Sequence, residues 1–470
     1  MKKILFIIFS ITVLASCERK IDELPASSNG VDFSNYVAVG NSLTAGFADN
    51  AIYASGQANS ITNILASQFK YVGGGEFRQP LIGTEEGVGV QVTPAGPYFY
   101  TKLSLQIVPN KDCQGQPDGT ASLKPALINP NASQTTLMQQ LFAPPAQTGP
   151  YNNMGVPGLT LMSMFYNRLA DPTPDGHPFN PFFVRFASSP TTTVLNDALA
   201  QQPTFFSCWI GNNDILLSAL AGSDLLMTPA DTFAKYYPMA VGALATSAKK
   251  PKGILANIPY VTSIPFFTTI SKQLPYNNVV LNQEQAAGLN QLYTMYGHPE
   301  IIWKTGNNPF VYINEDGTWK QMAEGDLFLL TLPTDSVKCR GMGIADPTAL
   351  PIPKPYPIPG KYILTKAEQA NIQARTDQFN AIIKNVAATF NLAYVDINQK
   401  LKTLESGMVF DGIKMTTTFV TGGAFSTDGV HLNPRGNAAA ANFFIEAINA
   451  KYGSSIPHAN ITGYPGLVFP

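Results

Sequence analysis

Ser42 follows Tyr36-Val37-Ala38-Val39-Gly40-Asn41, an apolar run that breaks at a glycine and leads into residues able to start a helix. A serine hydroxyl is a weak nucleophile until a base takes its proton, and histidine is the usual base. The chain has four histidines. His177 and His298 lie in Gly-His-Pro loops, and His458 sits near the C-terminus. His431 alone stands three residues after an acid, Asp428, and just before a helical pattern. Asp428 can turn back to hold one ring nitrogen and leave the other facing Ser42, the orienting role in a nucleophile–base–acid triad. Each piece also has a plainer reading. Gly-x-Ser fits a strand running into a loop, and Asp-x-x-His fits a loop with a helix cap.

Acyl transfer further needs donors aimed where negative charge develops. Asn213, in Gly211-Asn212-Asn213-Asp214 directly after an apolar run, can donate through its carboxamide. Gly158, in a turn before a helical pattern, has no Cβ to keep a ligand from its N–H. The ordinary readings are a turn asparagine and a helix-entry glycine.

Holding these groups together takes strands and helices in alternation. Strand patterns run over Tyr36–Gly40, Thr204–Ile210, Lys252–Pro259 and Ala393–Ile397. The continuous apolar character of the second suits a central parallel strand buried on both faces. Apolar spacing predicts helices over Ala58–Phe69, Leu161–Leu169, Thr193–Gln201, Pro229–Ala248, Thr365–Phe390 and Pro434–Tyr452. Thr365 and Glu368 form a capping-box pattern. Tyr151–Thr160 reads as turn-rich. The alternation predicts a three-layer α/β/α sandwich around a parallel sheet of about five strands. Open α/β sheets build sites at the carboxyl ends of their strands, which is where Ser42 and Asn213 fall. Two stretches break the rhythm. Residues 75–150, rich in Gly, Pro, Asn and Gln, read as a long and mostly irregular insertion; loops of that length are usually functional. Residues 262–362 hold several aromatics and a proline-rich run, Pro347–Pro359, expected to lie extended as a polyproline-type segment.

With 470 residues and 45% apolar side chains the chain can bury a large core. Charged residues are only 13% and the net charge is −1, with no basic patch, which argues against nucleic acid as a partner. No Cys/His spacing resembles a zinc site. Lys2 and Lys3, the apolar run Ile4–Leu14 and Leu14-Ala15-Ser16-Cys17 resemble a bacterial lipoprotein signal; an ordinary secretory peptide with a chance cysteine is the alternative. The resemblance implies cleavage of residues 1–16, lipid on Cys17 and a tether through residue 34. Residues 35–470 then form one domain on a membrane surface of the cell envelope, with the outer membrane the favoured site. No later stretch is an uninterrupted apolar run of membrane-spanning length. Cys208 sits in a strand pattern and reads as a buried thiol. Cys113 and Cys339 lie in loop-like insertions and can pair in an exported protein.

Taken together, Gly40-Asn41-Ser42-Leu43, Asn153-Met154-Gly155-Val156-Pro157-Gly158, Gly211-Asn212-Asn213-Asp214 and Asp428-Gly429-Val430-His431 resemble the SGNH hydrolases, also called GDSL lipases and esterases. The resemblance implies a flavodoxin-like SGNH hydrolase fold. It makes Ser42 the nucleophile, His431 the base and Asp428 the residue that orients it. The N–H groups of Ser42 and Gly158 and the Asn213 side chain would hold the oxyanion, with Gly155 the less favoured glycine. No metal or cofactor is implied. The chain departs from the family in having Asn41 where an Asp is usual, and in its two insertions, expected to wall the site. The α/β-hydrolase elbow fits less well, because Thr44 stands where its last glycine belongs. The implied activity is that of a membrane-anchored esterase or lipase. The aromatics Phe266, Phe267, Tyr293, Tyr296, Trp303 and Phe310 suit an acyl chain or a sugar, so a glycan O-acetylesterase is the alternative, and a non-catalytic binding lipoprotein is another.

Overall fold

The computed structural model describes residues 25–470 except 94, 95 and 350; the signal-like segment and Cys17 lie outside the described residues. Five strands, β1 (Tyr36–Gly40), β2 (Asn153–Gly155), β3 (Phe205–Trp209), β4 (Lys252–Ala256) and β5 (Ala393–Val395), form one parallel sheet. Their spatial order is β5-β4-β3-β1-β2. After β1 the chain lays β2 on one side and then crosses to lay β3 on the other. That reversal is a topological switch point, where a crevice opens beyond the carboxyl ends of the strands.

Both central strands, β1 and β3, are buried along their whole length, as their apolar sequences require. Side chains alternate between the two faces of a strand. Phe205 and Trp209 of β3 meet Tyr452 and Phe444 of the last helix, while Cys208 faces Tyr237 on the opposite side. Burial pushes the Cys208 thiol up to about 12, so it stays protonated. The helices around the sheet and its crevice include α1 (Ser42–Ala45), α2 (Ile61–Phe69), α3 (Val194–Ala200), α4 (Asn213–Leu220), α5 (Ala230–Ala245), α6 (Pro265–Gln273), α7 (Lys366–Thr389) and α8 (Pro434–Tyr452). α2 packs on α8, and α5 on α7, where Phe233 and Phe379 stack at 3.8 Å. The arrangement is α/β and compatible with three layers. α7 starts at the expected capping box, with Glu368 N–H donating to Thr365 Oγ1 and Thr365 N–H to Glu368 Oε2.

Several elements differ from the sequence reading. β2 falls inside the segment expected as a turn. It is only three residues long and its Asn153 and Gly155 carry no strand propensity, so pairing with β1 alone makes it a strand. Leu161–Leu169 forms only a short 3₁₀ turn over Met162–Phe165. The first insertion is not mostly irregular. It holds two hairpins, Gly89–Thr93 with Gly96–Tyr100 and Leu103–Lys111 with Pro117–Leu127, and a helix, Gln134–Phe142. The Pro347–Pro359 run, expected as a polyproline-type segment, instead pairs in part as strands: Lys354–Tyr356 with Ile344–Asp346, and Ile358–Pro359 with Val311–Ile313. Residues 27–34 belong to the packed fold rather than to a tether. Val31 and Phe33 are buried, and Asn29 Nδ2 donates to the Tyr452 carbonyl at the end of α8.

The second insertion has a core of its own, built around Tyr293, Trp303, Phe310 and Phe328. A Cys113–Cys339 disulfide ties the turn of the first insertion's longer hairpin to the helix Thr334–Arg340 of the second. Among the described residues no helix is long and apolar enough to cross a membrane.

Candidate active site

β1 ends at Gly40, where a Cβ would come within 2.6 Å of the Trp209 carbonyl oxygen at the end of β3. Only glycine lets the two strand ends approach so closely. Asn41 then caps α1: its Oδ1 accepts the Leu43 N–H at 3.1 Å, and its Nδ2 donates to Asn212 Oδ1 at 3.3 Å. The asparagine thus joins the end of β1 to the loop after β3 by a donor that an ionised aspartate lacks. Ser42 is the first residue of α1, so its N–H has no carbonyl one turn back. Asn153 of β2 steadies this turn by donating from Nδ2 to the Thr44 carbonyl at 3.0 Å.

Ser42 Oγ lies 2.8 Å from His431 Nε2, and His431 Nδ1 lies 2.9 Å from Asp428 Oδ2. Ser42 and His431 are 389 residues apart in sequence. Asp428 is nearly enclosed, with 7% of its side chain exposed. Its Oδ1 accepts the N–H groups of Val430 and His431, both at 2.8 Å. Its Oδ2 also accepts the Asn50 N–H at 2.9 Å. Burial alone would raise this carboxyl, but the His431 charge and these hydrogen bonds outweigh it and hold it at about 2. Asp428 is therefore an anion at neutral pH, and an anion at Oδ2 keeps a proton on Nδ1 of His431. That leaves Nε2 as the acceptor facing Ser42. Phe47 packs beside the imidazole, with ring centroids 4.9 Å apart.

Gly158 lies in the loop after β2 with φ +78°, a conformation natural to glycine. Among the described residues neither its N–H nor that of Ser42 has a hydrogen-bond acceptor. Asn213 opens α4 at the end of β3. Its Nδ2 donates to the Leu159 carbonyl at 3.0 Å, which orients the amide and leaves its second N–H. Ser42, Gly158, Asn213, Asp428 and His431 line one cleft of about 1260 Å³. Gly155 does not contribute: it is buried in β2 and its N–H is committed to Asn153 Oδ1 at 2.9 Å.

Two acids to which the sequence analysis assigns no role hold the site together. Asp49 Oδ1 accepts both the N–H and the hydroxyl of Thr427, at 2.9 and 2.7 Å, and its Oδ2 accepts the Tyr53 hydroxyl at 2.6 Å. It clamps the loop that carries Asp428 to the segment after α1. Asp214 accepts the Leu161 N–H at 2.9 Å and the Thr228 hydroxyl at 2.8 Å, tying the Gly158 loop to α4; burial raises its carboxyl despite these donors. Asp49-Asn50 carries a turn signal in the sequence, but nothing local says that its partner lies 378 residues away. Both insertions reach the cleft, the first through Leu103 and Ser122–Pro125, the second through Phe266 and Ile270 of α6. Of the aromatics expected there, only Phe266 lines it; Phe267, Tyr293, Trp303 and Phe310 are buried in cores.

Nothing in this arrangement requires more than side chains and backbone. It can deprotonate a hydroxyl, attack a carbonyl carbon and receive an oxyanion. Comparison with protein-family profiles, with characterised proteins and with solved structures finds no match to this chain.

Proposed function

We propose that the chain is a serine carboxylic ester hydrolase of the SGNH type, an esterase or lipase. The observation that carries this reading is the unbroken run of contacts from Ser42 Oγ through the His431 imidazole to Asp428, at 2.8 and 2.9 Å, at the mouth of a cleft. Ser42 Oγ attacks the ester carbonyl while His431 Nε2 takes its proton. The oxyanion is received by the Ser42 and Gly158 N–H groups and the Asn213 carboxamide. The ester C–O bond breaks, and His431 returns the proton to the leaving alcohol. Water then attacks the acyl-serine with His431 again as base, releasing the acid and restoring Ser42. In the same reading the lipoprotein-like N-terminus places the enzyme on a membrane of the cell envelope through Cys17.

The experiment is labelling with a fluorophosphonate probe, which reacts with activated serines. The full-length protein is expected to label at Ser42 under native conditions. A folded protein that does not label and turns over no ester would instead be a binding protein on a hydrolase scaffold. A second expected result concerns Asn213. Asn213→Ala should remain folded and lower kcat by about 10²- to 10³-fold, the usual loss for one oxyanion donor. Full turnover in that variant would remove Asn213 from the oxyanion site.

A further inference from the structure

The face of α4 that carries Asn213 into the cleft does not end there. Positions three, four and seven residues on lie along the same side of a helix. In α4 these are Leu216, Leu217 and Leu220, and all three line the cleft. The stripe extends about 10 Å from the oxyanion donor, at 1.5 Å per residue. Leu217 is 46% exposed and is not part of the main core. An apolar residue so exposed beside a reactive serine has no evident use in folding.

The direction of the stripe decides what it touches. His431 must hand its proton to the leaving alcohol, so the alcohol lies on the imidazole side of Ser42. The acyl chain leaves the tetrahedral carbon elsewhere, and the leucines begin at Asn213, on a different element of the cleft from His431. Sugar-binding clefts are instead built on stacking aromatics and paired polar groups. The described aromatics lining this one are phenylalanines and a single tyrosine, Tyr100, with no tryptophan: Trp209 packs on Phe444, and Trp303 and Trp319 pack around Tyr293. Among the described residues, its only charged lining residues apart from Asp428 are Lys124 and Lys272.

Resting on the esterase reading, the geometry points to a medium-chain acyl ester as the substrate class, with the acyl chain laid along Leu216, Leu217 and Leu220 and Leu217 setting chain-length preference. The test is kcat/KM of the full-length protein for p-nitrophenyl acetate, butyrate and octanoate, beside acetylated xylan, with fluorophosphonate labelling of Ser42 run in parallel. The expected profile rises with chain length, by about fourfold for each methylene fully buried. Leu217→Gln, at an exposed position that folding does not depend on, should lower the octanoate-to-acetate ratio about tenfold. Leu220→Trp should move the optimum toward shorter chains. A labelled enzyme that prefers acetate or acetylated xylan, or a Leu217→Gln variant with an unchanged ratio, overturns this inference and leaves the esterase reading standing. Absence of both labelling and turnover overturns the two together.

Discussion

Ser42→Ala is expected to lower kcat for any ester the protein hydrolyses by about 10⁶-fold, since loss of the nucleophile from a triad costs about as much as loss of the whole triad. The fold should survive. Ser42 is 7% exposed and occupies the first turn of α1, where alanine is a strong helix former. Its side chain makes one hydrogen bond, to His431. The Asn41 cap of α1 and the Asn153 contact to the Thr44 carbonyl use other atoms and persist. The measurement is steady-state kinetics on wild type and variant, with a thermal melt of each. Comparable turnover in a folded Ser42→Ala protein would falsify the nucleophile assignment.

Asp428→Asn should cost about 10⁴-fold in kcat, the scale seen when the orienting acid of a triad becomes an amide. The cause is the tautomer. Oδ1 must keep accepting the Val430 and His431 N–H groups, so the new NH2 takes the place of Oδ2. It then faces two donors, the Asn50 N–H and the Nδ1–H of His431. The imidazole can relieve this only by moving its proton to Nε2, where it can no longer accept the Ser42 proton. The same residue links stability to pH. The folded carboxyl sits at about 2, below its usual value of 3.8, so the folded state favours the anion. That stabilisation, about 2 kcal/mol, is complete above about pH 4 and is lost as the pH falls through about 2. Urea denaturation at pH 5, 3 and 2 should show the wild type losing this increment and Asp428→Asn lacking it. Equal acid dependence in the two proteins would show that Asp428 is not held as a buried anion.

Much of the scaffold was legible because the elements that bury most are the ones with the strongest local pattern. The continuous apolar run of β3, the capping box of α7 and the apolar periodicity of α8 announce themselves within a few residues. β2 and the hairpins of the first insertion did not. A strand reading Asn-Met-Gly has no alternation to detect, and β2 exists because β1 offers it an edge. The proline-rich run paired for the same reason. The aromatics of the second insertion were legible as apolar but not as core, because burial depends on neighbours such as the Thr334–Arg340 helix and the Ile358–Pro359 strand that no local window contains.

Residue type and local spacing already name the groups available for chemistry: one serine after a strand and a glycine, one histidine three residues past an acid, one asparagine after a buried strand. Residue type and short spacing are local properties, and so is the Asp428–His431 contact within a single loop turn. The packed fold alone brings Ser42 and His431, 389 residues apart, to 2.8 Å from each other. It also makes Asp49 and Asn50 brace the acid loop, leaves Gly158 and not Gly155 with an N–H that has no acceptor among the described residues, and sets three leucines of the Asn213 helix along the cleft. Those outcomes follow from the order of strands in the sheet, which sets the ends of β1, β2 and β3 side by side. Strand order is chosen by the burial of whole faces, a sum over the entire chain.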